Sequence, residues 1–113
     1  MNEKLERICF EIITNIGIAK SKYIEAMRIA KTENDFAKAN ALIKKGDEVL
    51  TNGHKAHAEL LKLDANGEIA NIPLLVMHSE DQLMSAETIK IFAEEIISLH
   101  KIMYIKDKVL AGV

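Results

Sequence analysis

A single histidine opens a short polar segment whose spacing suits group-transfer chemistry. Asp81 follows His78 by three residues, and Gln82 follows it by four. On an α-helix, such spacings place side chains on one face. A histidine with the ordinary pKa of about 6.5 is largely neutral at cellular pH, so its imidazole can attack phosphorus. The segment therefore predicts a nucleophilic histidine with polar neighbours about one helical turn away.

A phosphoryl-accepting histidine makes further demands on its surroundings. One ring nitrogen must be exposed to the donor, and a hydrogen bond to the other nitrogen should fix the tautomer. Transfer then depends mainly on positioning and on stabilisation of charge. The sequence leaves the hydrogen-bond partner open between Gln82, His57 and a neighbouring chain. It also leaves open that His78 is a buried structural histidine.

The elements that position these residues are predicted to be three long helices. Proline occurs once and glycine five times, which favours few, long elements. Short connections make neighbouring helices antiparallel, so we expect an all-α, up-down-up three-helix bundle. The first predicted helix runs from about Glu3 to Lys31. The second has a cap at Asn34 or Thr32 and runs to about Leu63. The third is capped by Asn71 and runs from near Ile72 to about Leu110.

Apolar residues at three- and four-residue spacing predict which face of each helix is buried. The main stripe of the first helix is Leu5, Ile8, Ile12, Ile16, Ala19, Tyr23, Ala26 and Ala30. The seam of the second is Phe36, Ala39, Ile43, Gly46, Leu50, Gly53, His57 and Leu60, flanked by Leu42, Val49, Ala56 and Leu63. The predicted core stripe of the third is Ile89, Phe92, Ile96, Leu99 and Met103, which extends backwards to Ser85, Gln82, His78 and Leu75.

Three further residues have two interpretations each. His57 is either an interface histidine with satisfied hydrogen bonds or a residue near His78 that orients its ring or its phosphate. Gly17, in the middle of the first helix, marks either a close helix crossing or clearance for a phosphoryl group or partner. Asp81 is either a solvated carboxylate or part of a second stripe, with Met84, that faces another packing partner.

Composition limits the classes of protein that the chain can belong to. Its 113 residues predict one domain, residues 1–113. The formal charge of −2 gives no electrostatic reason to expect nucleic acid as a partner. No stretch approaches the roughly 20 apolar residues of a membrane span. The lone Cys9 cannot form an internal disulfide, which fits a reducing cytoplasm.

The segment around His78 resembles a known family signature, Val-His-Ala-Gln-Asp-His-Leu-Met. That signature is typical of the lactose/cellobiose-type enzyme IIA component of the bacterial sugar phosphotransferase system. Residues of the first two helices extend the resemblance over nearly the whole chain. The residues that carry it are Met77-His78-Ser79-Glu80-Asp81-Gln82-Leu83-Met84, with Ile13, Gly17, Ala19, Ser21, Ala26, Ala30, Phe36, Ala39, Ala56 and His57.

The resemblance implies a function. His78 would accept a phosphoryl group on Nε2 from the histidine-containing phosphocarrier protein and pass it to a cysteine of the cognate enzyme IIB. The group would end on a sugar such as cellobiose, chitobiose or lactose. The alternatives are a non-catalytic helical oligomerisation or adaptor module, and a specialised paralogue with a regulatory role.

The resemblance also implies an assembly. Similar proteins form homotrimers in which one Asp from each chain meets the others around a divalent cation. This implies a metal ligand at Asp81, with Mg²⁺ as the ion. The chain departs from the family at Gln82, where a second histidine is usual, and at Glu80, where glutamine is usual. Glu80 would repel phosphohistidine if it pointed inward and would be harmless if it were solvated.

Overall fold

The computed structural model describes residues 2–112, and three long helices make up most of this range. They are α1 (Glu3–Glu33), α2 (Phe36–Ala65) and α3 (Leu74–Ala111). The predicted all-α class with three helices is therefore confirmed. The molecule is a rod with extents of 67 × 17 × 17 Å. No helix within residues 2–112 combines the length and the apolarity that a membrane span requires.

Side-chain caps define the starts of α1 and α2. Asn2 Oδ1 accepts a hydrogen bond from the backbone N–H of Leu5 at 2.7 Å. Asp35 Oδ1 accepts one from the N–H of Lys38 at 3.0 Å, so the predicted cap of α2 at Asn34 or Thr32 was wrong. Asn34 instead ends α1 in the left-handed region, with φ of 53°. Asparagine tolerates that conformation better than most residues.

The start of α3 also differs from the prediction. It begins at Leu74 after Pro73, which has an extended backbone and makes no side-chain capping bond. A residue that precedes proline is disfavoured in the helical region, which explains why Ile72 does not open the helix and Asn71 is not its cap. His78 is consequently the fifth residue of α3. It lies little more than one turn from the start of the helix.

The predicted buried faces of α1 and α2 are confirmed. All eight residues of the α1 stripe are buried, and so are six of the eight in the α2 seam, with Phe36 and His57 half-buried. Two glycines of that seam allow close approach to α1. A Cβ at Gly46 would lie 2.6 Å from Tyr23 Cε1, and one at Gly53 would lie 2.8 Å from Ile16 Cδ1. A Cβ at Gly17 would meet nothing within 4 Å, so the interpretation of Gly17 as a close helix crossing is wrong within one chain.

The predicted core stripe of α3 was also wrong. Phe92, Leu99 and Met103 are each at least half exposed. The residues that α3 buries lie on a neighbouring face and are mostly small. They are Val76, Ser79, Leu83, Ala86, Ala93 and Ile97. Small side chains permit close packing against α1, which leaves the larger apolar stripe uncovered within one chain.

α1 packs extensively against both other helices, whereas α2 and α3 touch each other at few places. Polar contacts fix the alignment of the three helices. Asp47 Oδ1 accepts from Tyr23 Oη at 2.6 Å and lies 3.2 Å from Lys90 Nζ, which joins all three helices. Further along, His54 of α2 pairs with Glu87 of α3 at 3.3 Å. The residue numbers of α2 therefore rise as those of α3 fall.

Candidate functional site

His78 lies on the exposed surface of the first turns of α3. Its side chain lines an open groove with Leu74, Leu75, Met77 and Asp81. An exposed imidazole in an open groove can be reached by a phosphorylated protein, as nucleophilic attack requires. The interpretation of His78 as a buried structural histidine is therefore wrong for a single chain.

The residue after His78 anchors this part of α3 in the core. Ser79 is fully buried, and its hydroxyl donates to the backbone carbonyl of Val76 at 2.8 Å. The same hydroxyl lies 3.8 Å from the Sγ atom of buried Cys9 on α1. Burial raises the pKa of the Cys9 thiol, and the Ser79 hydrogen bond partly opposes this. Ser79 is thus held in the core, while His78, about 100° away around the helix, is exposed.

His57 contacts Glu80, two residues beyond His78. Its Nε2 atom lies 2.5 Å from Glu80 Oε1, and the two side chains are 18% and 39% exposed. Successive helical residues differ by about 100°, so His78 and Glu80 lie on nearly opposite sides of α3. The contact therefore joins His57 to Glu80 rather than to His78. It turns the Glu80 carboxylate towards α2, and orientation of His78 by His57 stays a prediction.

Gln82 lies on the side of α3 that faces α1. Its Oε1 atom accepts a hydrogen bond from Lys20 Nζ at 3.2 Å. Gln82 is half-buried and, at four residues after His78, shares its face. The spacing of polar residues predicted Gln82 as a neighbour of His78. It could not predict Lys20, because that contact depends on how α1 and α3 are aligned.

Asp81 is exposed beside His78 and faces away from the core. It is flanked by exposed Met77 and Met84, and these three residues also line an apolar groove that reaches Leu60 and Ile69. Within one copy, the described residues contain no group of three or more His, Cys, Asp or Glu side chains that could hold a metal ion. A metal site at Asp81 would therefore need carboxylates from other copies.

The sequence of the chain matches a known protein family. Residues 7–101 match the family described as PTS system, Lactose/Cellobiose specific IIA subunit. The chain is 38% identical to the lichenan-specific phosphotransferase enzyme IIA component of Bacillus subtilis, over 89% of this chain and 91% of that protein. It is 33% identical to the lactose-specific EIIA component of Staphylococcus aureus, over 88% and 95%.

A solved structure supports the same assignment. The cellobiose-specific enzyme IIA of the phosphotransferase system from Bacillus anthracis superimposes with a TM-score of 0.86. The two sequences are 36% identical, and the match covers 94% of this chain and 96% of that one. The chain therefore belongs to the lactose/cellobiose-specific enzyme IIA family of the sugar phosphotransferase system.

Proposed function

We propose that the protein is a cytoplasmic phosphocarrier in which His78 carries the phosphoryl group. The observation that supports this most directly is the exposed His78 ring in an open groove, on a helix whose next residue is anchored in the core. The donor is the histidine-containing phosphocarrier protein, and the acceptor is a cysteine of the cognate enzyme IIB. By family resemblance, the phosphoryl group is bound to Nε2.

The proposed reaction consists of two in-line transfers. In the first, the lone pair of neutral His78 Nε2 forms a bond to phosphorus. The P–N bond of the donor phosphohistidine breaks, and its electron pair returns to the donor imidazole, which takes up a proton from solvent while the phosphorylated His78 ring releases its Nδ1 proton to solvent. In the second, the enzyme IIB thiolate attacks the same phosphorus, the His78–phosphorus bond breaks with its electron pair left on Nε2, and the ring regains a proton from solvent. Each transfer depends mainly on alignment and on stabilisation of charge.

The sugar is proposed only as a class. Relatives of this chain carry names that refer to lichenan, lactose and oligo-β-mannoside, and the solved structure is named for cellobiose. We propose a β-linked disaccharide such as cellobiose, chitobiose or lactose as the final acceptor. The sugar itself does not meet this chain, because the acceptor of the His78 phosphoryl group is enzyme IIB.

The test of the carrier function is a labelling experiment with labelled phosphoenolpyruvate and the general phosphotransferase proteins. We expect acid-labile, base-stable label on the wild type and none on His78→Ala. His54→Ala is the matched control, because His54 is an exposed histidine whose partner is Glu87. It should be labelled as well as the wild type. Absence of label on folded wild type would favour the alternative of a non-catalytic adaptor.

We further propose that up-down-up antiparallel bundles associate into a homotrimer through α3. Large exposed apolar side chains run along this helix, and such patches mark interaction surfaces. They include Ile91, Phe92, Leu99, Ile102, Met103, Ile105, Val109 and Leu110. The order of the α2–α3 contacts supports the antiparallel arrangement. Sedimentation equilibrium should give three copies per particle, and a monomer at all concentrations would contradict the proposal.

Asp81 is the proposed metal ligand of this trimer. One exposed carboxylate per copy, set among apolar neighbours, suits a shared site because Mg²⁺ prefers oxygen ligands. The ion would neutralise three converging negative charges. Chelator should lower the melting temperature of the wild-type trimer and leave that of Asp81→Leu unchanged. A wild-type trimer that is indifferent to chelator would contradict the proposal.

A further inference from the structure

We propose that Lys20 and Gln82 form a phosphoryl-holding pair for His78, in which Lys20 supplies positive charge and Gln82 supplies amide donors. This inference rests on the proposed carrier function of His78. It assigns a role to a residue of α1 that lies 62 positions from its partner in sequence.

The charge of Lys20 suits this residue to bind a phosphoryl group. No carboxylate within residues 2–112 forms an ion pair with it, whereas Lys38 and Lys90 each have one. The polar partner of Lys20 is the neutral amide of Gln82. An amide cannot neutralise an ammonium group, so the positive charge remains available to an anion. Lysine is a common point-charge binder of phosphate.

The contact with Lys20 determines the orientation of the Gln82 amide. Lysine can only donate, so the atom facing Lys20 must be the carbonyl oxygen of the amide. The NH₂ group therefore points away from Lys20. Within the described part of the chain this NH₂ group donates to no other residue, so both of its N–H bonds are available to a ligand. The amide oxygen is thus occupied by Lys20, and the NH₂ group stays available as a donor.

The positions of Gln82 and Lys20 also suit them to bind a group carried by His78. Gln82 is one turn after His78 on the same helical face, where side chains four apart have Cβ atoms roughly 5–6 Å from each other. Lys20 Nζ has three donors and uses one for Gln82, which leaves two for phosphoryl oxygens. Glu80 lies on the opposite side of α3 and is paired with His57. A phosphoryl group on His78 would therefore meet donors on its α1 side.

The test compares Lys20→Met with Lys22→Met in single-turnover transfer from the phosphorylated carrier protein. Lys22 is equally half-buried on α1, but it lies two residues away and therefore on a different side of the helix. We expect Lys20→Met to slow transfer roughly 10- to 100-fold, the range of a charge-assisted hydrogen bond. Lys20→Arg should recover most of the rate, and Lys22→Met should match the wild type.

A second readout separates an electrostatic role from a structural one. At equilibrium, phosphoryl groups are shared between the donor, the histidine-containing phosphocarrier protein, and this chain. In Lys20→Met this distribution should shift towards the donor, without loss of helical content. If Lys20→Met had the same transfer rate and equilibrium as Lys22→Met, the proposal would be overturned, but His78 would remain the phosphorylated residue. An unlabelled wild type would instead overturn the carrier function itself.

If Lys20→Met does not fold, a third variant tests the same proposal. Gln82→Leu removes both the amide donors and the anchor of Lys20, and it should slow transfer several-fold in a folded protein. A transfer rate equal to that of the wild type in Gln82→Leu would overturn the proposal.

Discussion

Alanine substitutions at Gly17 and Gly46 should differ in their effect on stability. Both glycines lie inside helices, where replacement by alanine stabilises by about 1 kcal/mol through backbone conformation alone. At Gly17 the new Cβ would meet nothing within 4 Å. At Gly46 it would lie 2.6 Å from Cε1 and 3.0 Å from Cδ1 of Tyr23. The backbone contribution is shared, so the difference between the variants reports the collision with Tyr23.

The magnitude follows from how firmly Tyr23 is held. Its ring is fully buried, and its hydroxyl donates to Asp47 at 2.6 Å, so it cannot swing away without losing that bond. Overpacking in a well-packed core costs about 1–3 kcal/mol. Gly17→Ala should therefore gain about 1 kcal/mol, and Gly46→Ala should range from nearly neutral to about 2 kcal/mol less stable. Gly53→Ala should fall between them, because its obstacle is the flexible end of Ile16.

The assay is urea unfolding followed by far-ultraviolet circular dichroism at one fixed protomer concentration, since association shifts apparent stability. The Gly17 and Gly46 variants should differ by about 1–3 kcal/mol in free energy of unfolding. Equal free energies would refute the packing argument. A destabilised Gly17→Ala would refute the claim that this glycine faces open space.

Three further outcomes follow from the structure. Burial raises the pKa of Tyr23, and the hydrogen bond to Asp47 raises it further. The tyrosine hydroxyl therefore loses its proton at lower pH in the unfolded chain than in the folded one. The free energy of unfolding should consequently fall as pH rises past about 10. Tyr23→Phe should remove that part of the fall in unfolding titrations, and an identical fall would contradict it. Burial raises the pKa of the Cys9 thiol, so Cys9 should resist alkylation by iodoacetamide until denaturant is added. Rapid alkylation of the native protein would be inconsistent with this burial. Glu80→Gln should cost less than about 1 kcal/mol in thermal unfolding because Glu80 is 39% exposed, and a larger loss would mean that the His57 contact contributes more than a surface pair.

The sequence predicted α1 and α2 well because each has one dominant apolar stripe. A single stripe leaves one way to bury the helix, so the spacing of residues such as Ile12 and Leu50 determined the packed face. α3 has apolar residues on more than one side, and spacing alone could not rank them. The bulkier stripe through Phe92 was predicted as core, whereas the chain buries the face of Ala86 and Ala93.

The candidate site was predictable along the helix but not across helices. Spacing placed Gln82 on the face of His78, since positions along one helix follow from its geometry. The contacts of Lys20 with Gln82 and of His57 with Glu80 join residues of different helices. They depend on the alignment and crossing of the helices, which no local pattern specifies.

The most direct test of the central claim is to find which of the four histidines carries the phosphoryl group. Wild-type protein would be phosphorylated by the donor system, digested at alkaline pH and mapped by mass spectrometry. The exposed ring in the groove of α3 predicts the modification on the peptide that contains His78. A phosphoryl group found instead on His54, His57 or His100 would contradict the account.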